Sequence, residues 1–147
     1  MKVLISACFL GEKVRFDGGD NALYHDKLQS LDLVPCCPEV DGGLSVPRVP
    51  AEIYHDKVLN QEGKDVTKAF EKGANHALSL VKKYGIKVAI MKAKSPSCGN
   101  EYIYDGTYTK TLKKGKGVTV QLLEKEGVKV FNETQIEEAF VYLTTLA

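Results

Sequence analysis

Short, β-branched apolar runs recur along this chain, separated by stretches long enough to hold helices, and that alternation restricts the fold more than any other feature. Residues 2–6 (KVLIS), 31–35 (LDLVP), 86–92 (IKVAIMK) and 128–131 (VKVF) each read as a strand. Between the later runs lie helical patterns. Asp65 can cap a helix over residues 66–84, with Ala69, Phe70, Gly73, Ala77, Leu80 and Val81 along one apolar face and Gly85 as its stop. Residues 117–126 form another helix, and Asn132 or Thr134 caps a last one that ends near residue 146. Residues 21–30 carry a weaker helical pattern, 36–52 read as a long loop, and the Asp-Gly of YIYDGTY (102–108) signals a small hairpin. The expected class is therefore α/β: one Rossmann-like, three-layer domain over residues 1–147 with a mainly parallel sheet.

Three cysteines fall just past three of the expected strands: Cys8 in SACFLG, Cys37 in PCCPEVDGG and Cys98 in KSPSCGN. In an open parallel sheet, ligands bind beyond the carboxyl ends of the strands, near the point where strand order reverses. Thiols far apart in sequence can therefore meet at one edge. Singly, a cysteine after a strand is usually a small buried hydrophobe; three in turn-rich loops at one edge point to a shared metal or cluster site. Cys36 and Cys37 are adjacent, and neighbours in extended chain point opposite ways, so one of the pair faces the site. Pro38-Glu39 after the second makes it Cys37, with Cys36 left to core packing.

Composition narrows the setting. Hydrophobic residues make up 44% of the 147 and charged residues 27%, a balance suited to a water-soluble domain. No stretch approaches the roughly 20 apolar residues that span a bilayer. The amino terminus has an early apolar run, but Gly11, Glu12 and Lys13 break it too soon for an export signal. The expected compartment is the cytoplasm, where thiols stay reduced and cysteines bind metal, do chemistry or pack. A net charge of +1 argues neither for nor against nucleic acid, and none is expected as a partner. No membrane contact or obligate protein partner is expected either.

Spacing alone leaves the metal open. Structural zinc prefers four ligands in close C-x-x-C pairs, and iron–sulfur clusters also commonly use such runs; neither pattern occurs. Three thiolates on a 4Fe–4S cube would leave one iron open as a Lewis acid.

The motifs SACFLG, VRFDGG, CPEVDGGLSVPRVPAE, KAKSPSCGN, IYDGT, GKGVTVQLL and GVKVFNE, in this order from Ile5 to Glu133, resemble a bacterial family of unknown-function domains that includes the thiouracil desulfurases. The resemblance implies that Cys8, Cys37 and Cys98 ligate a 4Fe–4S cluster. It implies catalytic roles for Glu39, as proton donor and acceptor, and for Ser95 beside it. The implied activity is non-redox, hydrolytic removal of sulfur from thiolated bases of the 2-thiouracil or 4-thiouracil type, free or as nucleosides or nucleotides, with the substrate sulfur on the open iron. Phe9 stands where the family commonly has an aliphatic residue and Phe16 where it has tyrosine.

Further residues are assigned to the pocket: Arg15 and Asp17 of VRFDGG, Arg48 between prolines, and Ser97 in the Cys98 turn. A loop salt bridge is an equal reading for Arg15 and Asp17, and Glu52 is the expected partner of Arg48. The basic loop with Lys110, Lys113, Lys114 and Lys116 could attract a phosphate, although charge runs are commonly solvated surface. Two alternatives stand beside the desulfurase: a non-catalytic zinc or iron–sulfur module, and a nucleotide-binding Rossmann-like domain. The acid and hydroxyl beside two thiols favour the first reading, and the missing G-x-G-x-x-G turn weighs against the last.

Overall fold

The computed structural model describes residues 1–146. The chain opens with β1 (Lys2–Ser6), a 3-10 turn (Ala7–Leu10), α1 (Asp26–Gln29) and β2 (Asp32–Cys36). It continues through α2 (Pro38–Asp41), β3 (Ala51–Tyr54), β4 (Lys57–Asn60) and α3 (Thr67–Tyr84). Then follow β5 (Val88–Ile90), β6 (Tyr102–Tyr104), β7 (Leu112–Lys114), α4 (Val118–Lys125), β8 (Lys129–Phe131) and α5 (Ile136–Leu146). Four strands form a parallel sheet in the order β2-β1-β5-β8. The chain leaves β1 toward β2 on one side and later adds β5 on the other, so the order reverses between β1 and β5. The mixed α/β class expected from the alternation is the class observed.

Side chains alternate across the sheet and build a core on each face. Leu4, Ala89 and Val130 pack with Ala77 and Val81 of α3 and with Val120 and Leu123 of α4. Val3, Ile5, Val88, Ile90 and Phe131 point the other way, toward Leu28 of α1 and Ile136 and Ala139 of α5. Pro35 pairs with Ile5 on β2, an edge strand, where its missing N–H costs no ladder bond. No described helix is long and apolar enough to cross a membrane.

α3 starts and stops as the sequence predicts. Asp65 Oδ1 accepts the Thr67 N–H at 2.9 Å, and Gly85 ends the helix at φ 64°. Its glycine has a different task. A Cβ on Gly73 would lie 1.7 Å from the Pro38 carbonyl oxygen, and one on Gly42 would lie 1.9 Å from that of Ala69. α2 and α3 thus touch backbone to backbone, which fixes the segment carrying Cys37 and Glu39 against the long helix.

Several expectations need correction. The strand expected over 31–35 is shifted to Asp32–Cys36, and that over 86–92 shortens to Val88–Ile90. Residues 36–52 are not simply loop, since they include α2 and the start of β3. Asp105-Gly106 is not a two-residue turn, because β6 and β7 are joined by residues 105–111. Asp105 Oδ1 accepts the Thr107 N–H and hydroxyl, and the Glu52 carboxylate accepts the N–H groups of Gly106 and Tyr108. These bonds open the turn and tie it to β3.

Candidate active site

A cavity of about 590 Å³ opens at the carboxyl ends of β1, β2 and β5, across the point of reversal, with Cys8, Cys37 and Cys98 all in its wall. Every cysteine is a free thiol. Cys8 lies in the 3-10 turn, where its carbonyl accepts the N–H groups of Gly11 and Asn21. Cys37 is the residue before the first turn of α2, and its N–H donates to Asp41 Oδ2 at 3.2 Å. Cys98 is held by Ser95, whose hydroxyl oxygen accepts the N–H groups of Ser97 and Cys98 at 3.1 Å each. Ser97 Oγ lies 3.1 Å from the Cys98 sulfur.

Burial pushes up all three thiols. For Cys8 and Cys37 the rise is moderated by Asn21 and by the backbone N–H of Val40, respectively. Cys98 is pushed up to about 12, chiefly by burial, despite the hydrogen bond from Ser97. Such thiols are poor thiolates on their own and need a cationic partner to ionise. Cys36 closes β2 and packs among Leu4, Met91 and Cys98, as the alternation at the Cys36-Cys37 pair predicts, although it also borders the cavity.

Glu39 projects from α2 into the same cavity. Burial raises its carboxyl above the usual range, and Arg48 opposes that rise. Arg48 Nε donates to Glu39 Oε1 at 3.3 Å, while its other nitrogens donate to the carbonyls of Ser45 and Val14. The partner of Arg48 is therefore Glu39 and not Glu52, whose carboxylate holds the β6–β7 loop.

Arg15 and Ser97 also border the cavity. Asp17 is not among the lining residues; its carboxylate pairs with Arg15 at 2.8 Å and accepts the Gly19 N–H. Sequence reasoning missed Lys92, Lys94, Tyr104 and Tyr108, which line the cavity along with Lys110 of the basic loop. Lys92 ends the run IKVAIMK, and a cation closing a buried strand was a usable signal. It pairs with Glu133 at 2.6 Å. Lys113 and Lys114 lie exposed on β7, and Lys116 binds Glu124, so three of the four loop lysines stand outside the site.

The donor set fits a cluster better than a single ion. Among the described residues, no three Cys, His, Asp or Glu side chains converge closely enough to hold one metal ion. The three thiols instead border a common space, as ligands of a polynuclear iron–sulfur group taking one thiolate per iron would.

Residues 3–135 match the model of the 2-thiouracil desulfurase family. The uncharacterized protein YbbK of Bacillus subtilis (strain 168) is 34% identical over 150 residues, covering 92% of this chain and 98% of that protein. A solved structure of the 4Fe–4S-dependent thiouracil desulfidase TudS superposes with a TM-score of 0.96 at 40% identity, covering 98% of each chain. The thiols, the acid beside them and the match along almost the whole sequence agree: this chain belongs to the 2-thiouracil desulfurase family.

Proposed function

We propose that the protein removes sulfur from thiolated pyrimidines by hydrolysis, exchanging a ring C=S for C=O and releasing hydrogen sulfide. The observation that carries this reading is the meeting of Cys8, Cys37, Cys98 and Glu39 in one cavity of a family member. The three thiols would hold a 4Fe–4S cluster, and Cys36 would remain a packing residue. When bound, the cluster supplies an iron without a protein ligand, a Lewis acid that draws electron density from the C=S bond. A purely structural thiol site needs neither an open cavity nor an acid.

Glu39 is the proton carrier. Arg48 fixes one carboxylate oxygen, which leaves the other to take a proton from the attacking water and return one to the departing sulfur. Ser95 accepts two backbone N–H bonds through its oxygen, and its own proton, which has only a long 3.4 Å contact to Ser97 Oγ, can turn to orient the water or the substrate carbonyl. Lys92 acts on Cys8 as a cation that favours the thiolate, an effect that its ion-pair partner Glu133 offsets in part.

The cavity reaches beyond the thiols. Arg15, Lys94 and Lys110 border it alongside Tyr104 and Tyr108. Cations and aromatic rings together in the lining favour a base that carries a ribose phosphate over the free base. Reduced thiols and a group of this kind suit the cytoplasm, and the reaction needs no protein or nucleic-acid partner.

The deciding experiment is anaerobic reconstitution with iron and sulfide for wild type and Cys37→Ala, followed by sulfide-release assays on thiouracils and their mononucleotides. A stable brown cluster that is lost in Cys37→Ala, with sulfide released from wild type, is expected. A colourless wild type, or an intact cluster in Cys37→Ala, would overturn the assignment.

A further inference from the structure

We propose that Gly117, which touches neither cluster nor substrate, is the positioning residue for Cys98; the proposal rests on the reading of Cys98 as a cluster ligand. α4 begins without a side-chain cap, its preceding residue being Gly117. A helix leaves its first N–H groups without intrahelical partners. Here the cysteine turn supplies them. Gly117 N–H donates to the Gly99 carbonyl at 2.8 Å, Val118 to Pro96 at 2.8 Å, and Thr119 to Ser97 at 3.0 Å. The turn is closed on itself as well, since Gly99 N–H donates to the Ser95 carbonyl at 2.9 Å. Cys98 is therefore clamped from both sides, by Ser95 within the turn and by the start of α4 against it.

Space, not conformation, demands the glycine. Gly117 has φ −66° and ψ 162°, values that any residue adopts. A Cβ there, however, would lie 2.4 Å from the Ser97 carbonyl carbon, 2.5 Å from its oxygen and 2.7 Å from the Cys98 nitrogen. These are backbone atoms of the turn itself, so no side chain can rotate out of the way. A methyl group must push the turn and the Cys98 sulfur away from α4. Gly115 is the natural control: a Cβ there meets side-chain carbons of Ile103 alone, at 3.1 and 3.2 Å.

The test compares wild type, Gly117→Ala, Gly115→Ala and Cys98→Ala in two assays. The first is alkylation of each cysteine by iodoacetamide in cluster-free protein, read by peptide mass spectrometry. The second is iron and sulfide bound after anaerobic reconstitution, with the spectrum of the reduced cluster. Gly117→Ala should raise the alkylation rate of Cys98 about tenfold, as local opening of the turn becomes easier, while Cys8 and Cys37 keep their rates. It should also lower cluster occupancy and alter the spectrum, whereas Gly115→Ala behaves as wild type. Wild-type alkylation of Cys98 in Gly117→Ala would overturn the proposal. Full iron in Cys98→Ala would sink the cluster reading instead, and the alkylation arm would still judge the clamp. Should Gly117→Ala fail to fold, amide exchange on wild type decides. Gly99 and Thr119 should exchange together, and exchange of Gly99 about a hundredfold faster would overturn the clamp.

Discussion

The two walls of the cavity are built on different principles. The inner wall is the end of a parallel sheet, where Cys8, Cys37 and Cys98 follow β1, β2 and β5 and each turn is pinned by backbone hydrogen bonds or by a side-chain oxygen of Asp41 or Ser95. The outer wall belongs to two hairpins, β3–β4 and β6–β7, which share no strand with that sheet. It is held by an apolar cluster of Ile53, Val58 and Ile103 on Phe70 and by polar ties through Glu52 and Tyr108, and its loops place Tyr108 and Lys110 at positive φ. Rigid inner geometry suits a group whose ligands tolerate little displacement. The outer wall, where side chains of hairpins and loops face the cavity, suits recognition of the rest of a substrate.

The contrast would be broken most severely at Glu39. Glu39→Gln should lower sulfide release by about 10²–10⁴-fold, the range for loss of a general acid–base group, with the reconstituted cluster intact by iron analysis. Equal activity in the variant would remove the inner wall's only assigned proton carrier.

Packing behind the inner wall comes next. Ala at Gly73 improves helix propensity by about 1 kcal/mol. That gain should be outweighed by collision with the Pro38 carbonyl, for a net loss of about 1–3 kcal/mol in denaturant unfolding. A stabilised Gly73→Ala would show that α2 can retreat and that the Cys37 segment is softer than drawn.

At the outer wall, the effect should move from turnover to binding. The Tyr108 hydroxyl accepts the Glu52 N–H and donates to the Leu59 carbonyl, tying the β6–β7 loop to β3 and β4. Tyr108→Phe should therefore raise KM by about five- to tenfold, the equivalent of about 1 kcal/mol from a lost hydrogen bond, with kcat nearly constant. A fall in kcat alone would mean that the hairpins take part in the chemistry.

The smallest effect lies beneath the inner wall, at Glu133. Burial pushes its carboxyl up, but Lys92 and the Ala93 N–H together outweigh that and hold it below the ordinary value. A depressed folded-state pKa gives stability that is present above the unfolded value and lost as pH falls through the folded one. Glu133→Gln should flatten the acid side of the Tm–pH profile, with a difference under about 1 kcal/mol near neutrality for so partly exposed a pair. An unchanged profile would mean that the Glu133 pair adds no stability and that Lys92 is held by its hydrogen bond to the Ala93 carbonyl.

The difference between the walls also explains what was legible in the sequence. β1, α3 with its Asp65 and Gly85 boundaries, and the three strand-end thiols follow from local apolar period and turn residues, and all lie on or behind the inner wall. The hairpins were legible only in part: YIYDGTY signalled β6 but with too short a turn, and β3–β4 gave no turn signal. AEIYHDKVLN carries the alternation of Ile53 and Val58 that now packs on Phe70, but its turn residue is His55 at φ 57°, with no glycine to announce it. The Arg48–Glu39 pair was missed for a related reason: with residues 36–52 read as loop, nothing indicated the turn of α2 that swings Glu39 toward Arg48. Asp17 was placed at the pocket on its neighbourhood to Arg15, and its short reach to that same arginine is what occupies it.

Pro35 has a consequence beyond the ladder. β2 is an outer strand of the four-stranded sheet, and an open strand edge invites a second copy to pair with it. Pro35 removes a donor from that edge one residue before the Cys36-Cys37 pair, and its ring crowds any incoming backbone. Pairing of two sheets edge to edge beside the thiols is thereby disfavoured. The strand that leads into the Cys36-Cys37 pair thus carries its own guard against edge-to-edge self-association.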